Sequence, residues 1–426
     1  MNTIIKNGLL LLETEAGFVT QPGTVYITGD RIASVDKMPE GFAADKVIDA
    51  ENKLVMPGLT NCHTHTYMAL FRNLADDVAF DEWLFRRVMP LEDKLTPEDA
   101  YWGAMLSCTE MLKTGTTSFL DMHMFQGKTA QAAVDSGIRG VISRGLVGEG
   151  NDAGGATRIR EALEEAEQFK DCPTLSFMLG PHAIYTCDTD YLGIVMETAK
   201  QHNLPLHIHL SETRYEVSEC IKNHGCSPVK YLNNMGFFDQ HTVAAHCVHV
   251  DEEDRRILAE KGVFAALNPK SNMKLGNGFA PVAQMLEQGV NTCLGTDSAA
   301  SNNSLDLFSE MNFTALIHKG TAESAQSVSA QQVLKMATSG GAAALGLSCG
   351  KLEVGRLADI VLLDLNRPQF CPRHNLPAAL CYSANGSEVD TVLVGGNVVV
   401  EQGKLTQFDE TEIYRKAQEA ILRVQN

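Results

Sequence analysis

The chain has 426 residues, 44% of them hydrophobic and 21% charged, the proportions of a globular protein large enough for a barrel and a smaller companion unit. Its net charge of -18 argues against a nucleic-acid partner, because phosphate binding needs a basic footprint, but leaves room for a small molecule in a local pocket. No apolar run approaches the roughly 20 residues needed to span a bilayer, so no membrane partner is expected.

The first 57 residues read as short strands and turns, with Thr24–Ile27 and Arg31–Val35 flanking a Thr28-Gly29-Asp30 hairpin. Pro57-Gly58 then breaks the chain before Leu59-Thr60-Asn61-Cys62-His63-Thr64-His65-Thr66. In a strand, residues two apart share a face, so His63 and His65 would reach one point together. Thr96-Pro97-Glu98-Asp99 carries a Thr cap, a first-position Pro and first-turn acids, and predicts a helix to about Thr114. From there strands and helices alternate. The expected strands are Thr117–Asp121, Gly140–Leu146, Thr174–Leu179, Leu206–Leu210, Thr242–Ala245, Val263–Leu267 and Asn291–Leu294, with a helix predicted over Ile159–Phe169. With the histidine strand they number eight, which favours a closed (β/α)8 TIM-like barrel over an open doubly wound sheet. Asp359–Leu365, Val389–Val394 and Val398-Val399-Val400 are strand candidates again. Both ends would therefore build one small β-sandwich domain (1–57 with 348–426) around a catalytic barrel (58–347).

Function in such a barrel sits at the C-terminal ends of the strands. Those ends carry His63 and His65, then His182, His207 and His209 followed by Glu212, then His246, then Asp297. Any one of them is better read as a hydrogen-bonded core histidine or a capping acid. As a set, at strand ends otherwise made of Val, Ile, Leu and Ala, they point to a metal. His63, His65, His209 and Asp297 make a good site for one divalent ion, Zn²⁺ first, with Fe, Mn and Ni as alternatives. His207 and His209 face the same side of their strand. His209 lies nearer the C-terminal end and Glu212 and is preferred, with His207 a core histidine beneath the site. A bound metal would bring the pKa of water to about 7. Glu212 would shuttle protons, His246 orient the attacking water and Asp297 accept its proton. The eleven cysteines are scattered without a C-x-x-C pair, and the N-terminus lacks a signal-peptide pattern, which suits free thiols and a cytoplasmic protein.

With those residues in hand, the chain resembles the amidohydrolase superfamily. The carriers are Met56-Pro57-Gly58-Leu59 leading to His63-Thr64-His65, His209-Leu210-Ser211-Glu212-Thr213, Ala245-His246-Cys247-Val248-His249 and Gly295-Thr296-Asp297-Ser298. Finer motifs are similar to the 5-methylthioadenosine/S-adenosylhomocysteine deaminases: Phe80-Asp81-Glu82-Trp83-Leu84, Pro90-Leu91-Glu92-Asp93, Ser143-Arg144-Gly145, Gly180-Pro181-His182 and Asn268-Pro269-Lys270-Ser271-Asn272. The resemblance implies an aminohydrolase of cyclic amidines that deaminates adenine nucleosides at C6 and releases ammonia. S-adenosylhomocysteine and methylthioadenosine are the implied substrates, with adenosine and 5′-deoxyadenosine as further ones. It implies that Trp83 lines the nucleoside pocket, Glu92 binds the ribose hydroxyls, Arg144 contacts the 5′ side and His182 the purine. One departure stands out. Such proteins often carry a second arginine directly after Gly-Gly in the loop after strand three. Here Gly154-Gly155 is followed by Ala156-Thr157, and Arg158 comes two residues late, so it replaces that arginine only if the loop is shifted. The rival readings are a guanine or pterin deaminase or triazine hydrolase of the same superfamily, and a non-catalytic binding scaffold. A homo-oligomer is left open as a partner state.

Overall fold

The computed structural model describes residues 1–79 and 82–425; Phe80 and Asp81 of the first nucleoside-pocket motif lie outside the described residues. Eight parallel strands form one sheet in sequence order: Leu59–Thr64, Thr116–His123, Arg139–Leu146, Leu175–Pro181, Leu206–Leu210, Thr242–His246, Phe264–Leu267 and Asn291–Leu294. The ring is drawn together just past the eighth strand, where the backbone N–H groups of Thr296 and Asp297 both donate to the His63 carbonyl, at 3.1 and 2.9 Å. Gly295 makes this approach possible. A Cβ there would stand 2.8 Å from the His63 Cβ and 2.4 Å from Asn268 Oδ1. Closing the barrel and bringing Asp297 to His63 are therefore the same event.

Below the histidines, Cys62, Leu120, Val141, Met178, Val243, Ala266 and Cys293 form a buried apolar layer, one from each strand but the fifth. It makes the barrel a packed floor rather than a pore. Helices cover the outside, and one of them starts on the cap expected from the sequence. Thr96 and Asp99 form a reciprocal capping box at Pro97–Lys113.

A second sheet of nine strands is mixed and takes strands from both ends of the chain. The seam is Lys53–Pro57 against Ile360–Asp364, antiparallel, with Leu54 opposite Leu363 and Met56 opposite Val361. Alternation sorts the two faces. Leu54, Met56, Val361 and Leu363 join the large core shared with the barrel. Val55, Ile360 and Leu362 pack with Ile5, Leu10, Val25 and Ile27 in a separate core. We propose that residues 1–57 and 348–426 form one composite unit beside a 58–347 barrel. The final helix, Glu410–Gln425, nonetheless lies on the barrel side. Its Ile413 packs with Ala104 and Met105 of Pro97–Lys113, and Ala417, Ala420 and Val424 join Phe71 and Ala100.

The helix expected over Ile159–Phe169 begins earlier and spans Ala153–Gln168. Asp152 caps it by accepting from Gly155 N at 2.6 Å, so Gly154 and Gly155 are in its first turn and not in a loop. Among the described residues, no helix is long and apolar enough to cross a membrane.

Candidate metal and substrate site

His63, His65, His209 and Asp297 meet at the C-terminal mouth. The two Nε2 atoms of His65 and His209 are 3.3 Å apart, and Asp297 Oδ1 lies 3.6 Å from His63 Nε2 and 3.5 Å from His65 Nε2. Their hydrogen bonds fix which ring nitrogens carry protons. His65 Nδ1–H donates to the Met122 carbonyl and His209 Nδ1–H to the His182 carbonyl, each at 2.8 Å. Carbonyls only accept, so in the neutral rings both Nε2 atoms are bare lone pairs. The 3.3 Å approach is then a convergence of acceptors, not a hydrogen bond.

His63 is fixed from further away. Ser143 Oγ–H donates to the Asp121 carbonyl at 2.7 Å, so Ser143 Oγ must accept from His207 Nδ1–H at 3.1 Å. His207 Nε2 is then the acceptor for His63 Nδ1–H at 2.9 Å. The chain runs one way and ends on a bare His63 Nε2, which is buried with no hydrogen-bond partner. For metal–ligand bonds near 2.1 Å, a tetrahedron has edges of roughly 3.4 Å. The three donor separations given above match that edge, and two overlapping sets, His63 with His65 and Asp297 and His63 with His209 and His246, lie close enough together to hold a metal ion. Burial holds the pKa of His63 and His209 well below the ordinary value, which keeps both rings neutral and ready to ligate.

His246 stands beside this set, its Nε2 3.8 Å from Glu212 Oε2 and its Nδ1 2.8 Å from Asn272 Oδ1. Burial pulls its pKa down, but the Glu212 and Asp297 carboxylates outweigh that and raise it. Glu212 is buried, which raises its own pKa, and Asn277 Nδ2 donates to its Oε1 at 2.9 Å. Its backbone is pinned by Glu216, whose carboxylate accepts from Ser211 N and Glu212 N, each at 2.8 Å. Asp297 Oδ2 accepts from Ser271 Oγ at 2.6 Å and Ser301 Oγ at 2.9 Å, which leaves Oδ1 toward the imidazoles. Ser211, His246, Cys247 and Asp297 all have positive φ, of 51, 74, 47 and 59°. Each such residue costs on the order of 1–3 kcal/mol, and their concentration here marks a site whose geometry is held against local preference.

Of the other expected residues, Trp83 and Glu92 follow the first strand, Arg144 is on the third, Arg158 is on the helix after it and His182 is just past the fourth. Trp83 lies in the Glu82–Val88 segment, buried with Tyr67, Phe71, Leu275 and Ala300, so it reaches toward the loops after strands seven and eight. Glu92 accepts a hydrogen bond from Tyr67 Oη. Burial, then the neighbouring Asp93, pushes its pKa up to about 7. Tyr67 packs edge-on against His123, ring centroids 3.7 Å apart. His182 bonds Thr186 Oγ1 through Nδ1 at 2.9 Å, and burial brings its pKa to about 4. Arg144 donates to the Met124 carbonyl and to Glu161, and Glu165 is 3.9 Å away. Arg158 is on the helix, not a shifted loop, and its Nη1 donates to the Val147 carbonyl at 2.9 Å.

Sequence reading missed the supports: Tyr67, His207 as a partner of His63, Asn272, Asn277, Glu216 and the two serines on Asp297. Some had a signal. Thr213 and Glu216 have the Thr-x-x-Glu spacing of a helix start, and Thr213 does cap Arg214–His224. Asn272 and Ser271 sit in a polar stretch directly after an apolar strand. Tyr67 and His207 carried no local signal.

Residues 54–399 match the Amidohydrolase family. A 5-methylthioadenosine/S-adenosylhomocysteine deaminase of Thermoanaerobacter pseudethanolicus is 45% identical, the match covering 97% of each chain. A 5′-deoxyadenosine deaminase of Methanosarcina mazei is 42% identical, over 98% of this chain and 97% of the other. Among solved structures, a zinc-bound adenosine deaminase from Xanthomonas campestris superposes with a TM-score of 0.94 at 31% identity, covering 99% of this chain and 98% of that one. The family match over most of the chain and the full-length relatives agree with the four ordered motifs, and the chain belongs to the amidohydrolase family, in the branch of the 5-methylthioadenosine/S-adenosylhomocysteine deaminases.

Proposed function

We propose that this protein hydrolyses the C6 amine of adenine nucleosides, giving ammonia and the 6-oxo nucleoside. The observation that carries the proposal is the convergence of four metal donors with a buried Glu212 and His246 at one mouth, under a wall that holds a carboxylate, Glu92, suited to a ribose diol. His63, His65, His209 and Asp297 would hold the ion, which we take to be Zn²⁺. When bound, such an ion lowers the pKa of water toward neutrality and polarises it for attack.

The chain's own groups do the rest. Asp297, steadied by Ser271 and Ser301, accepts the proton of the attacking water and later passes it to the departing amine. Glu212, whose pKa burial raises, delivers a proton to purine N1, making C6 more electrophilic. His246 holds the water from the side facing Glu212. Glu92 accepts from the ribose hydroxyls, Trp83 covers the nucleoside, and His182 contacts the purine. Arg144 stands toward the 5′ arm, with Arg158 behind it.

An ammonia-release screen over adenosine, 5′-deoxyadenosine, methylthioadenosine, S-adenosylhomocysteine, guanine and a triazine tests the proposal. Adenine nucleosides should be turned over fastest. Fastest turnover of guanine or the triazine would sink it. Metal-free native protein that releases no ammonia from any purine would favour a binding scaffold.

A further inference from the structure

The partly buried cations around the mouth are already matched with carboxylates. Arg72 pairs with Glu110 and Lys274 with Asp76. Arg144, whose side chain is only 12% exposed, pairs with Glu161 and faces Glu165 at 3.9 Å. Both acids come from the helix Ala153–Gln168 that follows the third strand, one turn apart on one face. Glu165 is also held by Gly127 N at 3.1 Å, so its carboxylate is fixed beside the guanidinium. Arg158 is turned back to the Val147 carbonyl, with Asp152 as a further charge beside it. Of the other cations there, Lys128 and Arg214 are exposed to solvent, where a charge is well screened.

We infer that Glu161 and Glu165 close the 5′ end of the substrate site to carboxylates, so that the enzyme selects adenine nucleosides with an uncharged 5′ substituent: a thioether, a methyl or a hydroxyl. This rests on the nucleoside reading above. The physical reason is charge balance. One guanidinium shared with two ionised carboxylates, one of them held in place by Gly127 N, gives a local sum of -1. A substrate carboxylate placed there must displace an ion pair already made and meet a second like charge in a partly dry pocket. A neutral arm meets neither cost.

The test compares kcat/KM for methylthioadenosine, S-adenosylhomocysteine and the methyl ester of S-adenosylhomocysteine, which keeps the arm's length and ammonium but loses the negative charge. The native holoenzyme should prefer methylthioadenosine to S-adenosylhomocysteine by about tenfold or more, the size of a lost charged hydrogen bond. The ester should recover most of that difference. Glu161→Gln with Glu165→Gln should raise the ratio of S-adenosylhomocysteine to methylthioadenosine turnover by about tenfold, and added salt should narrow the native ratio. A general loss of packing would lower both substrates together and leave the ratio where it was. Equal native turnover of the two substrates, an ester as poor as the acid, or an unchanged ratio in the variant would each overturn the inference. If no adenine nucleoside releases ammonia, the nucleoside reading itself has failed, which is a different result.

Discussion

Replacing His207 tests the one-way hydrogen-bond chain beneath the metal donors. His207 is fully buried and touches His63 Nδ1 at 2.9 Å, and its own Nδ1 is spent on Ser143. In His207→Leu, the ligating tautomer of His63 leaves a buried Nδ1–H without an acceptor. That costs about 1–3 kcal/mol. The competing tautomer moves the proton to Nε2 and takes the lone pair away from the ion. Either way the metal-bound state loses roughly 10- to 100-fold in affinity, the usual scale for a partner behind a ligand. His207→Gln can still offer a carbonyl oxygen and should recover part of the loss. Chelator competition on the purified holoprotein gives the dissociation constants, and thermal melting of the apo forms shows whether both variants fold. If Leu and Gln weaken metal binding equally, or if neither changes it by more than about twofold, less than the cost worked above, the tautomer reasoning is refuted.

Glu212→Gln should lower kcat by roughly 10²- to 10⁴-fold, the range of general acid–base catalysis, while metal content stays at the native level, because Glu212 is outside the four-donor set; metal analysis alongside steady-state kinetics checks both halves. Glu92→Ala should cut kcat/KM for adenosine by about 10- to 100-fold through two lost charged hydrogen bonds and leave the poor turnover of free adenine nearly unchanged; equal losses on both would remove Glu92 from the ribose. Glu310 is fully buried, and burial raises its pKa to about 8. Its folded-state pKa lies above the unfolded one, so its contribution is fully present below about pH 4.5 and is lost as pH rises through 8. Glu310→Gln, which keeps the bond to Asn302, should flatten the fall in Tm between pH 5 and 8.5; parallel curves for the two proteins would contradict this. Removing the ion with a chelator should abolish ammonia release, and added Zn²⁺ should restore it.

The sequence by itself determined the eight-strand alternation, because short strand-like runs recur between helix-length segments, some of which, such as Pro97–Lys113, start on a readable cap. It determined the ligand candidates as well. Imidazoles and carboxylates stand out against Val, Ile, Leu and Ala at the strand ends, and the barrel rule says which end matters. It also placed strands at both chain ends, and the seam between Lys53–Pro57 and Ile360–Asp364 is what that texture suggested. The last helix, Glu410–Gln425, was not legible in that way, since its apolar stripe gains meaning only against Pro97–Lys113, over three hundred residues earlier.

What only the tertiary structure decided is which groups meet. His207 and His63 are 144 residues apart, and no local pattern says that one holds the proton of the other. Tyr67 and Glu92, 25 residues apart, meet only in the fold. Arg144 is a free cation in the sequence and a shared one in the fold, because the helix beginning at Ala153 brings Glu161 and Glu165 to it. Residue type and strand period are local properties and can be read one segment at a time. Proton placement and charge balance depend on pairs, and the chain forms those pairs only when the barrel closes.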